Sequence, residues 1–306
     1  MFREIDQFIQ SYDSVVIYTH VIPDMDALGS QCGLKLLLQA QYPNKKIYAL
    51  GDINDVPITF PIDKEEDIDL SSSLALVLDT SNVERVSNQS FFQCDKVVKI
   101  DHHVDNTPYG DLSYVDTSTI STCSIITSMA RELGYPFSRD SANFLLFGLI
   151  TDSGRFRFPN TRAIDFDHAA FLLNHGADLQ FIYDNIYVKP FSKKAIDIYA
   201  HNTLQVENTV AYIKTTPEEA KNLAADLSYI KSGAINVLQD IEGVNCWATF
   251  TQLTPEDPIY VELRGRIPVL DVAVAHGGGG HLLACGCTVN DWTEVDQIID
   301  ELHQIK

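Results

Sequence analysis

Short, continuous apolar segments alternate with longer segments of helical periodicity through the first half of the chain. The short segments are rich in aliphatic and β-branched residues, which is typical of strands buried on both faces of a parallel sheet. The predicted strands are residues 14–19, 45–50, 74–79 and 96–101. The predicted helices are residues 30–41, 118–133 and 141–149, and most of 161–204 with breaks near Gly176 and Pro190. This alternation predicts an α/β domain with a mostly parallel sheet and helices on both faces.

The pattern changes in the last third of the chain, where alternating apolar and polar positions replace the continuous runs. The predicted elements are strands at 209–215, 246–253 and 258–265, a helix at 217–227 that begins with proline, and a closing amphipathic helix at 295–305. We therefore predict an α/β chain of two domains. The N-terminal domain covers 1–187, a helical linker covers 188–205, and a smaller C-terminal α/β domain covers 206–306.

The composition is that of a globular protein with many acidic residues. Hydrophobic residues make up 45% of the 306 residues, which is enough for large cores. The chain carries 22 Lys+Arg against 42 Asp+Glu, so its net charge is −20. This charge argues against binding to long duplex nucleic acid or to an anionic membrane surface, but not against a small anionic substrate in a locally positive site. No apolar run approaches the ~20 residues that a membrane span needs.

The cysteines and the N-terminal segment predict a cytoplasmic protein. The six cysteines are scattered without a C-x-x-C pair, and a chain of this length does not need disulfides for stability. The N-terminal segment is amphipathic and acidic, unlike a secretory signal. We therefore expect a reducing, cytoplasmic setting.

Polar residues follow three of the predicted strands at the point where each strand ends. They are His20, Asp24 and Asp26 after the first strand, Asp79 at the end of the third, and Asp101, His102 and His103 at the end of the fourth. Asp152 lies in a further segment of helical character. Because ligands of open parallel sheets bind outside the carboxyl ends of the strands, we expect these side chains to converge there.

Carboxylates crowded in one crevice repel one another, and a cation resolves that conflict. Carboxylates with some imidazole suit Mn²⁺ or Mg²⁺ better than a thiolate-rich zinc site would. The set is larger than one catalytic ion normally takes, so we predict two divalent ions with one carboxylate between them. Such a pair can activate a shared water and neutralise the oxygens of a phosphoryl group.

Each of these motifs has a simpler explanation when it is taken alone. An aspartate at a strand end is commonly a turn residue or a helix cap, and Asp26 could cap the following helix. The Asp101–His103 segment could be a surface turn. Four motifs at corresponding places in the topology favour one shared site instead.

A glycine run is the main feature of the C-terminal domain. Gly277–Gly280 directly precede His281, and such runs let backbone N–H groups approach an anion. The alternative is a hairpin or the end of a helix. Arg264 and Arg266 precede the run and share a face if the segment is a strand, and arginine is suited to phosphate contact.

The other histidines and cysteines carry less information. We interpret His168, His175, His201 and His303 as surface or core residues, and Cys285 and Cys287 as packing residues. The sequence contains no G-x-x-x-x-G-K-[ST] loop, so an NTPase is not supported.

Taken together, these motifs resemble those of the DHH–DHHA1 phosphoesterases. The matching segments are HVIPDMDALGSQ, LVLDTSN, IDHHVDN, GLITDSGRFRF and GGGGHLLACG, in that order and across nearly the whole chain. The sequence is especially similar to the stand-alone branch of nanoRNase/pAp phosphatases and pApA or cyclic-di-AMP phosphodiesterases.

The resemblance implies a role for each candidate residue. His20 and Asp24 would hold one Mn²⁺, while Asp26, His102 and Asp152 would hold the second and Asp79 would bridge the two. His103 would face the scissile phosphate, and Asp101 would orient a histidine. The implied substrate-binding residues of the C-terminal domain are Arg264, Arg266, Gly278, Gly279, Gly280 and His281.

The expected activity is hydrolysis of short oligonucleotides to 5′-mononucleotides, of pAp to AMP, or of both, with the substrate held between the two domains. The alternative within the same chemistry is a pApA or cyclic-di-AMP phosphodiesterase. An inorganic pyrophosphatase and a non-catalytic nucleotide-binding module are lesser alternatives. The expected partners are short RNA or a small nucleotide, without long duplex nucleic acid or membrane, and a homodimer is a further expectation.

Overall fold

The computed structural model describes residues 1–53, 58–104, 108–223, 229–230 and 233–305. The chain forms two compact units, Met1–Val188 and Lys189–Lys306. The predicted helix at 217–227 is seen as Pro217–Leu223, and its last residues lie outside the described ones. In the described part of the chain, no helix is long and apolar enough to cross a membrane.

The first unit is built on a five-stranded parallel sheet in the order β2-β1-β3-β4-β5. The strands are β1 (Ser14–Tyr18), β2 (Lys46–Ala49), β3 (Ser73–Leu78), β4 (Lys96–Asp101) and β5 (Leu112–Val115). The first four match the predicted strands closely. The sequence analysis missed β5, because this edge strand is four residues long and only partly buried, so it lacks a continuous apolar run.

Helices cover the two faces of this sheet unequally. The α-helices are α1 (Phe2–Ser11), α2 (Met25–Gln41), α3 (Thr122–Leu133), α4 (Arg139–Asp152), α5 (Ala163–Asn174) and α6 (Leu179–Ile186). Their apolar residues share one core with the side chains of Val15, Ile17, Leu76, Val98 and Ile100. The opposite face, which includes Val16, Tyr18 and Val77, is covered by short 3₁₀ helices and loops that contribute Leu70 and Phe91.

Helix α2 begins five residues earlier than the hydrophobic pattern predicts. The Asp24 carboxylate accepts hydrogen bonds from the backbone N–H groups of Asp26 and Ala27, at 2.9 and 3.0 Å. Asp24 is therefore the cap of this helix, whereas the simpler explanation in the sequence analysis gave that role to Asp26. As a consequence, Asp26 lies inside the first turn and is fully buried.

The second unit contains a six-stranded mixed sheet in the order β10-β11-β9-β8-β7-β6, in which only β7 and β8 are parallel. The strands are β6 (Gln205–Glu207), β7 (Val210–Thr215), β8 (Cys246–Thr251), β9 (Ile259–Gly265), β10 (Gly279–His281) and β11 (Ala284–Val289). The α-helices seen in this unit are α7 (Phe191–Thr203), α8 (Pro217–Leu223), α9 (Leu270–Ala275) and α10 (Trp292–Gln304). Helix α7, which falls in the predicted linker at 188–205, packs Ile196 and Ala200 into the core of the second unit.

Candidate metal centre

The candidate residues of the first unit gather at the carboxyl edge of the sheet. In the strand order β2-β1-β3-β4-β5, β2 lies on one side of β1 and all later strands lie on the other, so the direction of strand addition reverses at β1. The ends of β1 and β3 therefore flank the switch point where such sheets bind ligands. His20 follows β1, Asp79 follows β3, and His102 follows β4. Asp26 and Asp152 come to the same place from the first turn of α2 and the last turn of α4.

Six of these residues form two groups, which together we call the metal centre. His20, Asp24 and Asp79 form one group, and Asp26, His102 and Asp152 form the other; within each, one ligand atom per residue lies within 4.8 Å of the others. Asp79 also reaches the second group, because its Oδ1 lies 3.5 Å from His102 Nε2. The structure therefore brings together all six residues that the sequence analysis proposed as ligands.

The N-terminus of α3 holds Asp26 in place. The backbone N–H groups of Thr122 and Cys123 donate to the two Asp26 carboxylate oxygens at 2.7 and 2.9 Å. These are N–H groups of the first helical turn, which have no partner within their own helix. A Cβ at Gly148 of α4 would lie 2.5 Å from Asp26 Oδ1, so the absence of a side chain there leaves room for the carboxylate.

Asp79 sits at a strained position of the backbone. Its φ is +55°, a left-handed conformation that costs a non-glycine residue free energy and persists where the surroundings impose it. The Asp79 N–H donates to the carbonyl of Ile100 on β4, and Thr122 Oγ1 donates to Asp79 Oδ1 at 3.0 Å. This conformation directs the carboxylate toward both histidines.

Both histidines of the metal centre present Nε2 to the carboxylates. His20 Nδ1 lies 2.9 Å from the carbonyl of Val21, which can only accept, so Nδ1 carries the proton and Nε2 has a free lone pair 3.6 Å from Asp79 Oδ2. In the same way, His102 Nδ1 lies 3.4 Å from the carbonyl of Thr119. His102 Nε2 is buried and has no hydrogen-bond partner among the described residues.

The electrostatics of the metal centre favour a bound cation. Burial and the neighbouring carboxylates raise the pKa of Asp79 and that of Asp152 well above the ordinary value, and burial also raises the pKa of Asp26. Buried carboxylates with raised pKa values beside an unpartnered imidazole nitrogen are what a divalent ion compensates. The residues therefore fit two divalent ions.

Asp101 and His103 form a hydrogen-bonded pair that adjoins the metal centre, because His103 Nδ1 also lies 3.5 Å from Asp79 Oδ1 and His103 groups with Asp79 and His102. Asp101 Oδ1 accepts hydrogen bonds from the backbone N–H groups of His102 and His103 and from His103 Nδ1, the last at 2.9 Å. Despite its burial, these hydrogen bonds hold the pKa of Asp101 below its ordinary value, and the bond to Asp101 raises the pKa of His103. The ring of His103 is half-exposed, so Nε2 is left available to a ligand.

In the second unit, the glycine run forms a hairpin. We call Gly277–His281 together with β11 the glycine hairpin. Gly277 ends α9 with a φ of +74°, and β10 pairs antiparallel with β11, so both structural alternatives from the sequence analysis occur. A Cβ at Gly278 or at Gly280 would collide with β11, whereas a Cβ at Gly279 would meet nothing within 4 Å. Packing against the residues that the structure describes therefore does not explain the glycine at position 279.

The two arginines do not share a strand face. Arg264 lies on β9, where its guanidinium donates to the Glu262 carboxylate at 3.0 Å and to the carbonyl of Leu263. Strand β9 ends at Gly265, so the alternation that predicted a common face stops before Arg266. Arg266 instead lies 3.9 Å from Asp240.

Sequence reasoning missed two residues of the first unit that shape the metal centre. Thr122 was interpreted only as part of a helix, and Gly148 only as part of an apolar segment. A signal for Thr122 was available, because Ser121 before it is a typical helix cap and the N–H groups that follow such a cap attract anions. No pattern in the sequence indicates that α2 and α4 approach closely enough at Gly148 to require glycine.

Comparison with known proteins agrees with this geometry. The family model described as "DHH family, N-terminal domain" matches residues 14–149. A bifunctional oligoribonuclease and PAP phosphatase NrnA of Bacillus subtilis is 31% identical over 100% of this chain and 98% of its own length. A probable protein of the same name from Streptococcus mutans is 32% identical over 99% and 98%. The chain belongs to the DHH family of phosphoesterases.

The fold of this DHH protein also agrees with a solved structure. An exopolyphosphatase-related protein from Bacteroides fragilis aligns with a TM-score of 0.84 at 21% identity, over 98% of this chain and 94% of that one. DHH phosphoesterases are metal-dependent hydrolases, and the metal centre supplies the acidic and histidine groups that such an enzyme needs.

Proposed function

We propose that this protein is a Mn²⁺-dependent phosphoesterase that hydrolyses short oligonucleotides to 5′-mononucleotides and pAp to AMP. The observation that carries the proposal is the pair of three-residue groups that meet at Asp79. The substrates are inferred from the relatives, two of which are named oligoribonuclease and PAP phosphatase and match this chain along its full length.

The residues divide the chemical work between them. His20, Asp24 and Asp79 would hold one ion, and Asp26, His102 and Asp152 the other; this mixture of oxygen and imidazole ligands suits Mn²⁺. Two such ions, when bound, supply Lewis-acid stabilisation of a phosphoryl group and a nucleophile at neutral pH. His103, which Asp101 orients through Nδ1, presents Nε2 to the scissile phosphate or the leaving oxygen.

The second unit would select the substrate by its far end. We assign the binding of a terminal phosphate or base to Arg264, Arg266, Gly278, Gly279, Gly280 and His281. Arginine offers a planar pair of donors to phosphate, and the open side of Gly279 admits a close approach to the backbone. With a net charge of −20, the protein lacks the overall positive charge that favours binding of long nucleic acid, so short substrates are favoured. A cytoplasmic location and a homodimer stay predictions.

A substrate panel tests this function. Metal-free protein, supplied in turn with Mn²⁺ and Mg²⁺, is assayed at one concentration with pAp, pApA, cyclic-di-AMP, RNA of two to five nucleotides, longer RNA, single-stranded DNA and pyrophosphate. We expect the highest turnover with Mn²⁺ on two- to five-nucleotide RNA and on pAp, and none after chelation.

The outcomes separate the alternatives. Preference for pApA or cyclic-di-AMP would replace the proposal with second-messenger hydrolysis, and preference for pyrophosphate would replace it with a pyrophosphatase. Nucleotide binding without turnover, in protein that takes up no stoichiometric metal, would indicate a binding module.

A further inference from the structure

Strand β4 carries a lysine whose side chain is fully buried. Lys99 has no solvent exposure, and because side chains alternate along a strand it lies on the same face of the sheet as Asp101. The residues between and before them, Ile100 and Val98, belong to the core on the α-helical face. A buried ammonium is costly unless it is paired, so its partners indicate what it does.

The partners of Lys99 that the structure describes belong to both of the loops that carry candidate catalytic residues. Its Nζ donates to the carbonyl of Ser81 at 3.1 Å and lies 3.5 Å from Asp101 Oδ2. It also lies 4.7 Å from the centre of the Tyr109 ring, whose hydroxyl donates to the carbonyl of Thr80 at 2.7 Å. Lys99 and Tyr109 thus bind the carbonyls of the two residues that directly follow Asp79.

The Asp101 carboxylate connects Lys99 to His103. Asp101 Oδ1 accepts three hydrogen bonds, from the backbone N–H groups of His102 and His103 and from His103 Nδ1. Oδ2 is buried and accepts no hydrogen bond among the described residues, so the ammonium of Lys99 is the positive charge that faces it. Because both oxygens belong to one rigid carboxylate, the ion pair at Oδ2 restrains the orientation in which Asp101 Oδ1 accepts from the His103 ring.

We propose that Lys99 is a positioning residue that acts through Asp101 to fix the orientation of His103. The proposal rests on the proposed function for the role of His103 at the scissile phosphate. A lysine that only stabilised the core would support the fold equally well, but it would not act through Asp101. The distinction can therefore be measured.

The test compares Lys99→Met with Lys96→Met in the full-length protein. Lys96 lies on the same strand, but its side chain is exposed and pairs with Asp111. For Lys99→Met we expect kcat on a two-nucleotide RNA to fall about 10- to 100-fold, the range for loss of an outer partner of a metal site. We expect KM and the Mn²⁺ affinity from titration calorimetry to change by less than about threefold. Lys96→Met should match the wild type in all three quantities.

A double variant shows whether the effect passes through Asp101. If it does, Lys99→Met combined with Asp101→Asn should be no slower than Asp101→Asn alone, because both changes disrupt the same arrangement. Independent, multiplying losses would overturn the proposal. So would a Lys99→Met protein with wild-type kcat, or one whose loss lies entirely in Mn²⁺ affinity.

A second measurement does not depend on activity. In metal-free protein with ¹⁵N-labelled histidine, the ring shifts of His103 should report a proton fixed on Nδ1 in the wild type and a mixture of tautomers in Lys99→Met. Unchanged shifts would overturn the proposal. If Lys99→Met does not fold, Lys99→Arg keeps the charge and should retain the Nδ1 signal, and its loss in folded Lys99→Arg would also count against the proposal. Absence of turnover in the wild type would instead refute the proposed function and leave the ring measurement valid.

Discussion

The metal centre of the first unit and the glycine hairpin of the second hold their polar groups in opposite ways. In the metal centre, Asp24, Asp26 and Asp79 each accept a hydrogen bond from a named donor, and the latter two are almost completely buried. In the glycine hairpin, Gly277–Gly280 present backbone groups without side chains, and a Cβ at Gly279 would meet no described neighbour within 4 Å. The first arrangement holds side-chain oxygens in place before a ligand arrives, whereas the second leaves the backbone at Gly279 open to close approach.

The difference suggests how the two units divide the work of a hydrolase. Chemistry at phosphorus needs ligand atoms held within a fraction of an ångström, and buried hydrogen-bonded side chains provide this. Selection of a substrate by its far end requires an accessible surface more than precisely placed reactive atoms. Changes in the first unit should therefore act mainly on kcat and metal affinity, and changes in the hairpin mainly on KM.

Asp79→Asn should have the largest effect. Both ligand groups of the metal centre meet at this carboxylate, and asparagine tolerates the left-handed backbone, so the change removes charge with little strain. We expect kcat on a two-nucleotide RNA to fall about 10³-fold or more, while the metal-free protein becomes no less stable because the change removes a group whose ionisation its surroundings oppose. Steady-state kinetics measures kcat, and thermal unfolding in the presence of a chelator measures the stability of the metal-free protein. Asp111→Asn, at an exposed ion pair, is the control, and more than a tenth of wild-type activity in Asp79→Asn would contradict the bridging role.

Gly148→Ala tests whether close packing behind the metal centre matters. The added Cβ would meet Cys123 Sγ at 2.4 Å, Asp26 Oδ1 at 2.5 Å and Asp26 Cα at 2.8 Å, so Asp26 and the residue that holds it must shift. We expect Mn²⁺ affinity to fall about 10- to 100-fold, with a loss of about 1–3 kcal/mol in the free energy of unfolding. Gly33→Ala is the matched control, because the three atoms nearest to its Cβ all belong to the flexible Leu145 side chain and none to Asp26. Equal Mn²⁺ affinities in the two variants would show that Gly148 serves packing alone.

Metal affinity should rise with pH in the range where the buried carboxylates titrate. Burial and neighbouring charges raise the pKa of Asp79 and Asp152, so the metal-free protein keeps protons that a metal must displace. Affinity should increase by up to about tenfold per pH unit for each proton released, while the metal-free protein loses stability as pH rises through the same range. Mn²⁺ titrations followed by calorimetry in buffers of different ionisation enthalpy give the number of protons released on metal binding. Binding without proton release would mean that these groups are already ionised.

Gly279→Ala should give the smallest effect and the clearest information on the hairpin. Apart from its immediate chain neighbours, no described residue lies within 4 Å of the new methyl group, so the free energy of unfolding should be unchanged. If the substrate approaches this backbone, KM for a two-nucleotide RNA should rise about fivefold with kcat nearly constant, because a methyl group blocks close approach. Gly280→Ala, which collides with Cys285 and Ala284, should lose stability as well. A Gly279→Ala enzyme with wild-type KM would remove the hairpin from the substrate site.

The strands that could be predicted from the sequence are those whose burial leaves a continuous apolar run. Strands β1 and β3 are of this kind, and β2 and β4 keep enough apolar positions to be recognised although each includes lysine. The residues that follow β1, β3 and β4 indicated the position of the metal centre. Strands β5, β6 and β10 are short and partly exposed or glycine-rich, so their existence depends on the neighbouring strand rather than on their own pattern.

The residues of the candidate site also fall into those that the sequence could predict and those that it could not. Residues that follow a strand could be found because topology alone brings them to one edge. Gly148 could not, because it contributes through a contact between helices far apart in sequence, and Thr122 could be found only through the helix cap before it. A lysine in a strand is ordinarily exposed, so the burial of Lys99 could not be predicted either. The start of α2 was misplaced for a local reason, since the cap formed by Asp24 lies outside the apolar pattern that the prediction used.

Helix α3 donates to the metal centre both from its backbone N–H groups and from the Thr122 hydroxyl, and mutation affects these two kinds of donor differently. Asp26 is held by the main chain of Thr122 and Cys123, so its orientation survives any replacement there that fits the space and retains an N–H. Asp79 is held by the hydroxyl of Thr122, a bond that only serine or threonine can make at that site in this way. At the N-terminus of α3, the hydrogen bonds to Asp26 therefore persist through most substitutions, whereas the hydrogen bond to Asp79 can be lost by a single base change in the codon of Thr122.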